Sequence, residues 1–265
     1  DFDVADKLYF EPVFWERVQD VIDLEQPEGV ILQLGGQTAI KLGERFEEDG
    51  IQVLGTSYSK MDLVEDRGKF TSILQKLDIP FPPYGVAHSV EEALETAGRL
   101  GSPTLIRPSY VLGGEGMRIA INEDEVAEYV GNVLETYPDN EILLDRFLED
   151  AVELDVDAIC DGDEVWIAGM MQHIEPAGVH SGDSTAVLPP FSLSDEVLDT
   201  IREYVRALAF ELDVLGLVNV QLIVKDGTVY VIEANPRASR TVPFIAKAAG
   251  IPIPAIATKV MLGET

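Results

Sequence analysis

Hydrophobic positions along the chain follow two spacings, one typical of helices and one typical of buried strands. Val13, Val18, Val21 and Ile22 recur near the helical period, whereas short apolar runs such as 29–34 end in a glycine turn. We predict helices over 12–26, 38–48, 66–77, 90–100, 123–136 and 195–212. We predict strands over 29–34, 51–54, 104–107, 117–121, 141–145, 152–160, 164–171, 217–225 and 228–233.

The order of these elements predicts an α/β protein of two domains. The first, over 1–65, has a strand, a helix and a second strand, which indicates a partial parallel sheet with a right-handed crossover. The second, over 66–265, divides into a small lobe (about 80–147) and a larger mixed lobe (about 148–265). Because ligands commonly bind between lobes, we expect the functional site in the cleft that separates them.

The composition argues against several classes of partner. The chain has 265 residues, of which 46% are hydrophobic, so it can bury a core. Asp and Glu number 48 against 19 Lys and Arg, and the formal net charge of −29 disfavours nucleic acid and membranes. Cys160 is the only cysteine, which excludes an internal disulfide and fits a cytoplasmic protein. Because the chain starts with Asp1 rather than Met, we expect it to be part of a longer polypeptide.

Polar side chains gather at the end of the last predicted hairpin. Gln221 lies on its first strand, and Glu233, Asn235, Arg237 and Arg240 follow along its second. Mg²⁺ prefers oxygen ligands that it shares with phosphates, and arginine binds phosphate or carboxylate oxygens in a bidentate manner. The group therefore fits metal-assisted phosphoryl transfer to an oxyanion. A solvated strand end with a surface ion pair is the alternative.

Joint metal binding sets a condition on the register of this hairpin. A two-residue loop at Asp226-Gly227 would pair Gln221 with Ile232 and leave Glu233 on the opposite face. A three-residue loop, or a bulge, would bring Gln221 and Glu233 to one face. The metal site requires the second arrangement.

Two further segments carry candidate nucleotide-binding groups. Arg107 ends an apolar strand, and the glycines of loop 110–116 allow backbone N–H groups to approach phosphates, although an ordinary turn has the same composition. Glu153, Asp155 and Asp157 alternate along one strand and therefore share a face. This pattern predicts either a solvated sheet face or a place where Glu153 binds a ribose hydroxyl.

Seven runs of sequence resemble the ATP-grasp family and, within it, the large chain of carbamoyl phosphate synthetases. They are LYFEPV (8–13), GGQT (35–38), EDR (65–67), RPSYVLGG (107–114), VELDVDAICDG (152–162), HIEPAGVHSGDS (173–184) and EANPRASRTVPF (233–244). The resemblance implies an ATP-grasp fold preceded by a partial Rossmann-like pre-ATP-grasp domain. RPSYVLGG, DVDAICDG and AGVHSGDS are similar to the second of that chain's two homologous halves. This half implies phosphorylation of carbamate by ATP, giving carbamoyl phosphate and ADP.

Carried over position by position, the resemblance implies roles for individual residues. Those expected to bind ATP are Arg67, Arg107, Gly113, Gly114, Arg146, Leu148, Glu153, Gly178, Val179, His180, Ser181, Gln221 and Glu233. The expected ligands of Mg²⁺ or Mn²⁺ are Gln221, Glu233 and Asn235. The groups expected to act on carbamate and the transferred phosphoryl group are Arg237, Arg240, Asn235 and Arg107.

The resemblance also implies partners and leaves alternatives. It implies ATP and carbamate as substrates, K⁺ as a further candidate ion, and a glutaminase small subunit and the rest of the large chain as partners. Two positions depart from the family's second-half pattern: Glu115-Gly116, where a basic residue and Ala are common, and Arg146, where His is frequent. The alternatives are a nucleotide-binding fragment without turnover, or another ATP-grasp carboxylate ligase such as a biotin carboxylase.

Overall fold

The computed structural model describes residues 5–108, 117–138, 141–179 and 182–265. The helices in these ranges are α1 (Trp15–Glu25), α2 (Gly36–Ile40), α3 (Gly43–Glu48), α4 (Tyr58–Glu65), α5 (Arg67–Lys76), α6 (Val90–Leu100), α7 (Glu123–Thr136), α8 (Asp195–Glu211), α9 (Val242–Ala249) and α10 (Ile253–Met261). The strands are β1 (Tyr84–Ala87), β2 (Thr104–Pro108), β3 (Arg118–Ala120), β4 (Ile142–Arg146), β5 (Val152–Cys160), β6 (Val165–His173), β7 (Ala186–Val187), β8 (Gly216–Lys225) and β9 (Thr228–Asn235).

The small lobe is an antiparallel sheet in the order β1-β4-β2-β3, covered by α6 and α7. Both helices have the bounds predicted from the sequence, because a polar side chain caps each start. Ser89 accepts a hydrogen bond from the backbone N–H of Glu92, and Asn122 accepts one from that of Glu125. Ile106 and Leu144 are fully buried beneath these helices.

The large lobe is an antiparallel sheet in the order β7-β6-β5-β8-β9, with α8 packed on one face. Apolar side chains alternate along β8, and Val218, Val220, Leu222 and Val224 all face the core. Ser194 caps α8 by accepting a hydrogen bond from the N–H of Val197. On the opposite face, part of the sheet packs against α9 and α10 through Ile159, Met171 and Leu217, and the rest carries polar side chains.

The first domain departs from its predicted pattern. The strands expected over 29–34 and 51–54 are reduced to one parallel bridge between Val30 and Val53. The helix expected over 38–48 is broken into α2 and α3. It breaks near Gly43, where a Cβ atom would lie 2.2 Å from the Tyr58 ring, so the close packing of α4 requires glycine.

Helices α9 and α10 were not predicted. Each has proline in its first turn, where the missing N–H has no helical partner to lose. Because these prolines interrupt apolar segments, the sequence pattern does not indicate where the two helices start. Among the described residues, no single helix has the length and apolar composition to cross a membrane. Helices α9 and α10 have that length and composition only when they are taken together, and the pair is bent by 115°.

Candidate functional site

The hairpin of β8 and β9 contains both a tight turn and a bulge. Asp226 and Gly227 have φ angles of 50° and 78°, as a two-residue turn of this kind requires. The register then shifts, because Gln221 pairs with Glu233 while Leu222 pairs with Val231. Ile232 is the extra residue of the bulge. The sequence condition for a shared metal site is therefore met, through the bulge rather than through a longer loop.

The bulge exposes a carbonyl that Arg67 binds. Nη1 of Arg67 donates a hydrogen bond of 2.8 Å to the carbonyl oxygen of Ile232, and its guanidinium lies 5.0 Å from the centre of the Tyr84 ring. Arg67 is the first residue of α5, because Asp66 caps that helix by accepting from the N–H of Lys69. Arg67 therefore links Tyr84, on β1 of the small lobe, to the β8–β9 hairpin, which carries the candidate metal ligands.

Asp145 holds both arginines that were predicted to face phosphates. It accepts from Nη2 of Arg67 at 2.9 Å and from Nε and Nη2 of Arg107 at 3.0 and 2.6 Å. The sheet register pairs Asp145 with Leu105. Arg107 lies two residues further along β2, so its side chain is on the same face of the sheet as that of Asp145. Two guanidiniums share one carboxylate, so the cluster keeps a net positive charge that suits an anion.

Burial and charge act on Arg67 in opposite directions. Burial, with the positive charge of Arg107, lowers the pKa of Arg67, whereas the carboxylate of Asp145 raises it. Asp145 is not among the site residues that the sequence predicts. The available signal was a carboxylate at the end of the apolar run 141–145.

Three oxygen-bearing side chains meet at the end of β9. Nδ2 of Asn235 donates to Oε1 of Glu233 at 2.6 Å, and Oδ1 of Asn235 accepts from Nη2 of Arg237 at 2.9 Å. Gln221 is the cross-strand partner of Glu233. One carboxylate and two carboxamides suit Mg²⁺ only where phosphates supply further oxygens. No cluster of three His, Cys, Asp or Glu side chains with metal-binding geometry occurs among the described residues.

A second polar group lies where the loop after β6 meets the hinge between the lobes. Glu153 accepts from the backbone N–H of Gly178 at 3.2 Å, and His173 bonds Asp155 at 2.9 Å. Gly178 has a φ angle of 98°, and a Cβ atom there would lie 2.8 Å from the ring of Phe147. Burial lowers the pKa of His173, but its hydrogen bond to Asp155 and the charge of Glu153 outweigh that effect and raise it.

The prediction of a solvated face on β5 is wrong. Glu153, Asp155 and Asp157 do share a face, but their exposed fractions are 8%, 2% and 1%. Segments that follow β6 and β9 cover this face and supply hydrogen-bond donors. Asp157 accepts from the hydroxyls of Ser239 and Thr241, as well as from Asn219 on β8.

Asp157 should make the stability of the chain depend on pH. Burial raises its pKa to about 6, against the opposing effect of its hydrogen bonds. The unfolded-state pKa is about 4, so the folded chain binds this proton more tightly. The contribution to stability is therefore full below about pH 4 and is lost as the pH rises through about 6, a change of about 3 kcal/mol.

Urea unfolding of wild type and Asp157→Asn between pH 4 and 7 measures this contribution. The other carboxylates titrate in both proteins, so the difference between the two curves isolates Asp157. We expect the wild type to lose stability relative to the variant as the pH rises. Parallel curves would show that Asp157 titrates at its ordinary value.

The remaining predicted residues are dispersed around these groups. Nη1 of Arg146 donates to the carbonyl oxygen of Leu100 at 3.4 Å, at the end of α6. Leu148 and Val179 are partly buried, and Arg240 is exposed. The other predicted positions, Gly113, Gly114, His180 and Ser181, lie outside the described residues.

The two lobes, each built on an antiparallel sheet, define a chain of the ATP-grasp class. The biotin carboxylase domain of Hydrogenobacter thermophilus 2-oxoglutarate carboxylase, solved with MgADP, ADP and bicarbonate, is similar with a TM-score of 0.80 and 21% identity, over 99% of this chain and 61% of that one. The biotin carboxylase of Campylobacter jejuni, in a complex with β,γ-ATP, gives a TM-score of 0.75 and 18% identity, over 94% and 58% of the two chains. These similarities concern the fold.

The chain belongs to the carbamoyl-phosphate synthase large-chain family. The model of its "L chain, ATP binding domain" matches residues 66–265, and that of its "preATP-grasp domain" matches 1–63. The large chain of Archaeoglobus fulgidus is 54% identical and is matched over all of this chain and 24% of its own length. The "C-terminal section" proteins of Methanocaldococcus jannaschii and Aquifex aeolicus are 51% and 50% identical, with 43% and 49% of their lengths covered. The chain thus spans a quarter to a half of these relatives.

Proposed function

We propose that this chain transfers the γ-phosphoryl group of ATP to carbamate. The bulge at Ile232 is the observation that supports this most, because it sets Gln221 beside Glu233 and turns a carbonyl towards Arg67. The family suggests the reaction, because its relatives are carbamoyl phosphate synthase large chains. We place the domain boundary near residue 65 and the lobe boundary near 147.

In this proposal a carbamate oxygen attacks the γ-phosphorus. A P–O bond forms while the bond to the oxygen that bridges the β- and γ-phosphorus atoms breaks, so ADP leaves with that electron pair. No general base is required, since carbamate is already an anion. Arg237 and Arg240 would orient carbamate and the phosphoryl group, and catalysis would rest on positioning and charge neutralisation.

The residues have separate tasks on the nucleotide. Arg67 and Arg107 would bind its phosphates, Glu153 its ribose, and the segment from Arg146 to Leu148 its adenine. Gly113, Gly114, Gly178, Val179, His180 and Ser181 complete the proposed nucleotide site. A divalent cation held by Gln221, Glu233 and Asn235 would neutralise charge on the phosphates. Either Mg²⁺ or Mn²⁺ suits these oxygen donors, and K⁺ is proposed from the family alone.

The parent protein supplies the wider setting of the proposal. We infer that carbamate comes from the rest of a large chain served by a glutaminase subunit, in the cytoplasm. The relatives, which are two to four times longer, support the existence of further large-chain segments.

ATP formation from ADP and carbamoyl phosphate in the presence of Mg²⁺ tests the reaction. We expect ATP to accumulate, and excess EDTA to stop it. Tight ADP binding without ATP formation would instead favour a nucleotide-binding fragment. Cleavage of ATP that requires both bicarbonate and biotin would favour a biotin carboxylase.

A further inference from the structure

We propose that Asp157 is a positioning residue for the arginine loop, defined as residues 236–241, which contains Arg237 and Arg240. The inference rests on the proposed function, because it concerns how those two arginines are held. Asp157 lies on β5, about eighty positions earlier in the chain, and none of the sequence runs that suggested the function assigns it a role.

The contacts of Asp157 are directed at this loop. Its Oδ1 accepts from the Ser239 hydroxyl at 2.6 Å, and its Oδ2 accepts from the Thr241 hydroxyl. The two hydroxyls lie 2.6 Å apart. A third donor, Nδ2 of Asn219, fixes the carboxylate from the strand beside β5 at 3.2 Å. A buried carboxylate with three donors holds its partners in one geometry.

Ser239 passes this constraint to the backbone. Its Oγ accepts from the N–H groups of Thr241 and Val242 at 3.1 and 3.3 Å, at the start of α9. On the other side of the loop, the N–H of Ala238 donates to the carbonyl oxygen of Gln33 at 3.0 Å. The loop is thus held from the first domain and from β5, with Arg237 and Arg240 flanking the held residues.

The two arginines need this support to different degrees. Arg237 is also held by Asn235 at 2.9 Å and by the carbonyl oxygen of Ala238 at 3.2 Å. Arg240 is exposed, and no hydrogen bond or ion pair joins it to another described residue. Its position therefore depends on the backbone between Ser239 and Thr241. A loosened loop would misplace Arg240 first, and small displacements near reacting atoms cost about 10²-fold in rate.

Steady-state kinetics of ATP formation test the inference in four proteins. They are wild type, Asp157→Asn, the double variant Ser239→Ala/Thr241→Val, and both changes combined. We expect Asp157→Asn to lower kcat about 10- to 100-fold while the KM for ADP changes by less than about threefold. The combined variant should lose no more than either parent, because the groups act as one unit.

Val156→Ala is the matched control, since Val156 is the neighbouring residue on β5 and is buried on the opposite face. It loosens the same strand without touching the loop, and its kcat should stay near that of the wild type. An unchanged kcat in Asp157→Asn would overturn the inference. Additive losses in the combined variant would also overturn it.

Hydrogen exchange separates this inference from the proposed function. Exchange of the Ala238, Thr241 and Val242 amides should be at least about tenfold faster in Asp157→Asn than in wild type or Val156→Ala. If the wild type forms no ATP, the proposed function fails while the exchange rates still decide whether Asp157 anchors the loop. Equal exchange in all three proteins would refute the anchoring.

Discussion

Glu233→Gln is expected to lower kcat for ATP formation by about 10²- to 10³-fold. Glu233 is the single carboxylate among the three proposed metal ligands, so the change removes the only negative charge of that set. Losing a group that stabilises charge in the transition state typically costs this much. The measurement is kcat at saturating ADP and carbamoyl phosphate over a range of Mg²⁺ concentrations.

Glu211→Gln provides the matched control. Glu211 is the last residue of α8, where its carboxylate forms an ion pair of 2.6 Å with Lys76, and it has no proposed role in binding the metal or the nucleotide. Its kcat should equal that of the wild type. If Glu233→Gln retained full activity at every Mg²⁺ concentration, the metal assignment would be wrong.

Asp145→Ala is expected to destabilise the chain by about 3–5 kcal/mol. The change leaves the guanidiniums of Arg67 and Arg107 close together without their shared carboxylate, and these side chains are only 17% and 28% exposed. Removing one partner of a buried ion pair costs this much because the remaining charge is uncompensated. Urea unfolding at neutral pH measures the loss.

Two variants calibrate this prediction. Asp199→Ala removes an ion pair with Arg202 in which Asp199 is 70% exposed, and its effect should stay within about 1 kcal/mol. Asp145→Asn keeps one acceptor and should fall between wild type and alanine. A loss in Asp145→Ala as small as that in Asp199→Ala would mean that solvent screens the two arginines.

The elements best predicted from sequence are those defined by local signals. Helices α6 and α7 have apolar stripes and capping residues within a few positions, so their bounds could be predicted. The β8–β9 hairpin is also local, and its turn residues limited the register to two arrangements. Choosing between them required the bulge at Ile232, which Arg67 supports from a distant part of the chain.

The parts that could not be predicted depend on contacts between distant segments. Asp145 binds arginines 38 and 78 positions away, and nothing in its own strand indicates that pairing. Alternation placed the acidic residues of β5 on one face, but it could not show what covers them. The covering segments come after β6 and after β9, so burial of Asp157 depends on tertiary structure.

Titration with Mn²⁺ followed by electron paramagnetic resonance tests the central claim, that the β8–β9 hairpin and the nucleotide phosphates bind one divalent cation together. Because the protein contributes a single carboxylate, we predict that ADP raises the Mn²⁺ affinity of the wild type at least about tenfold and that Glu233→Gln abolishes this increase. Equal Mn²⁺ affinity in wild type and Glu233→Gln, with ADP present, would contradict the claim.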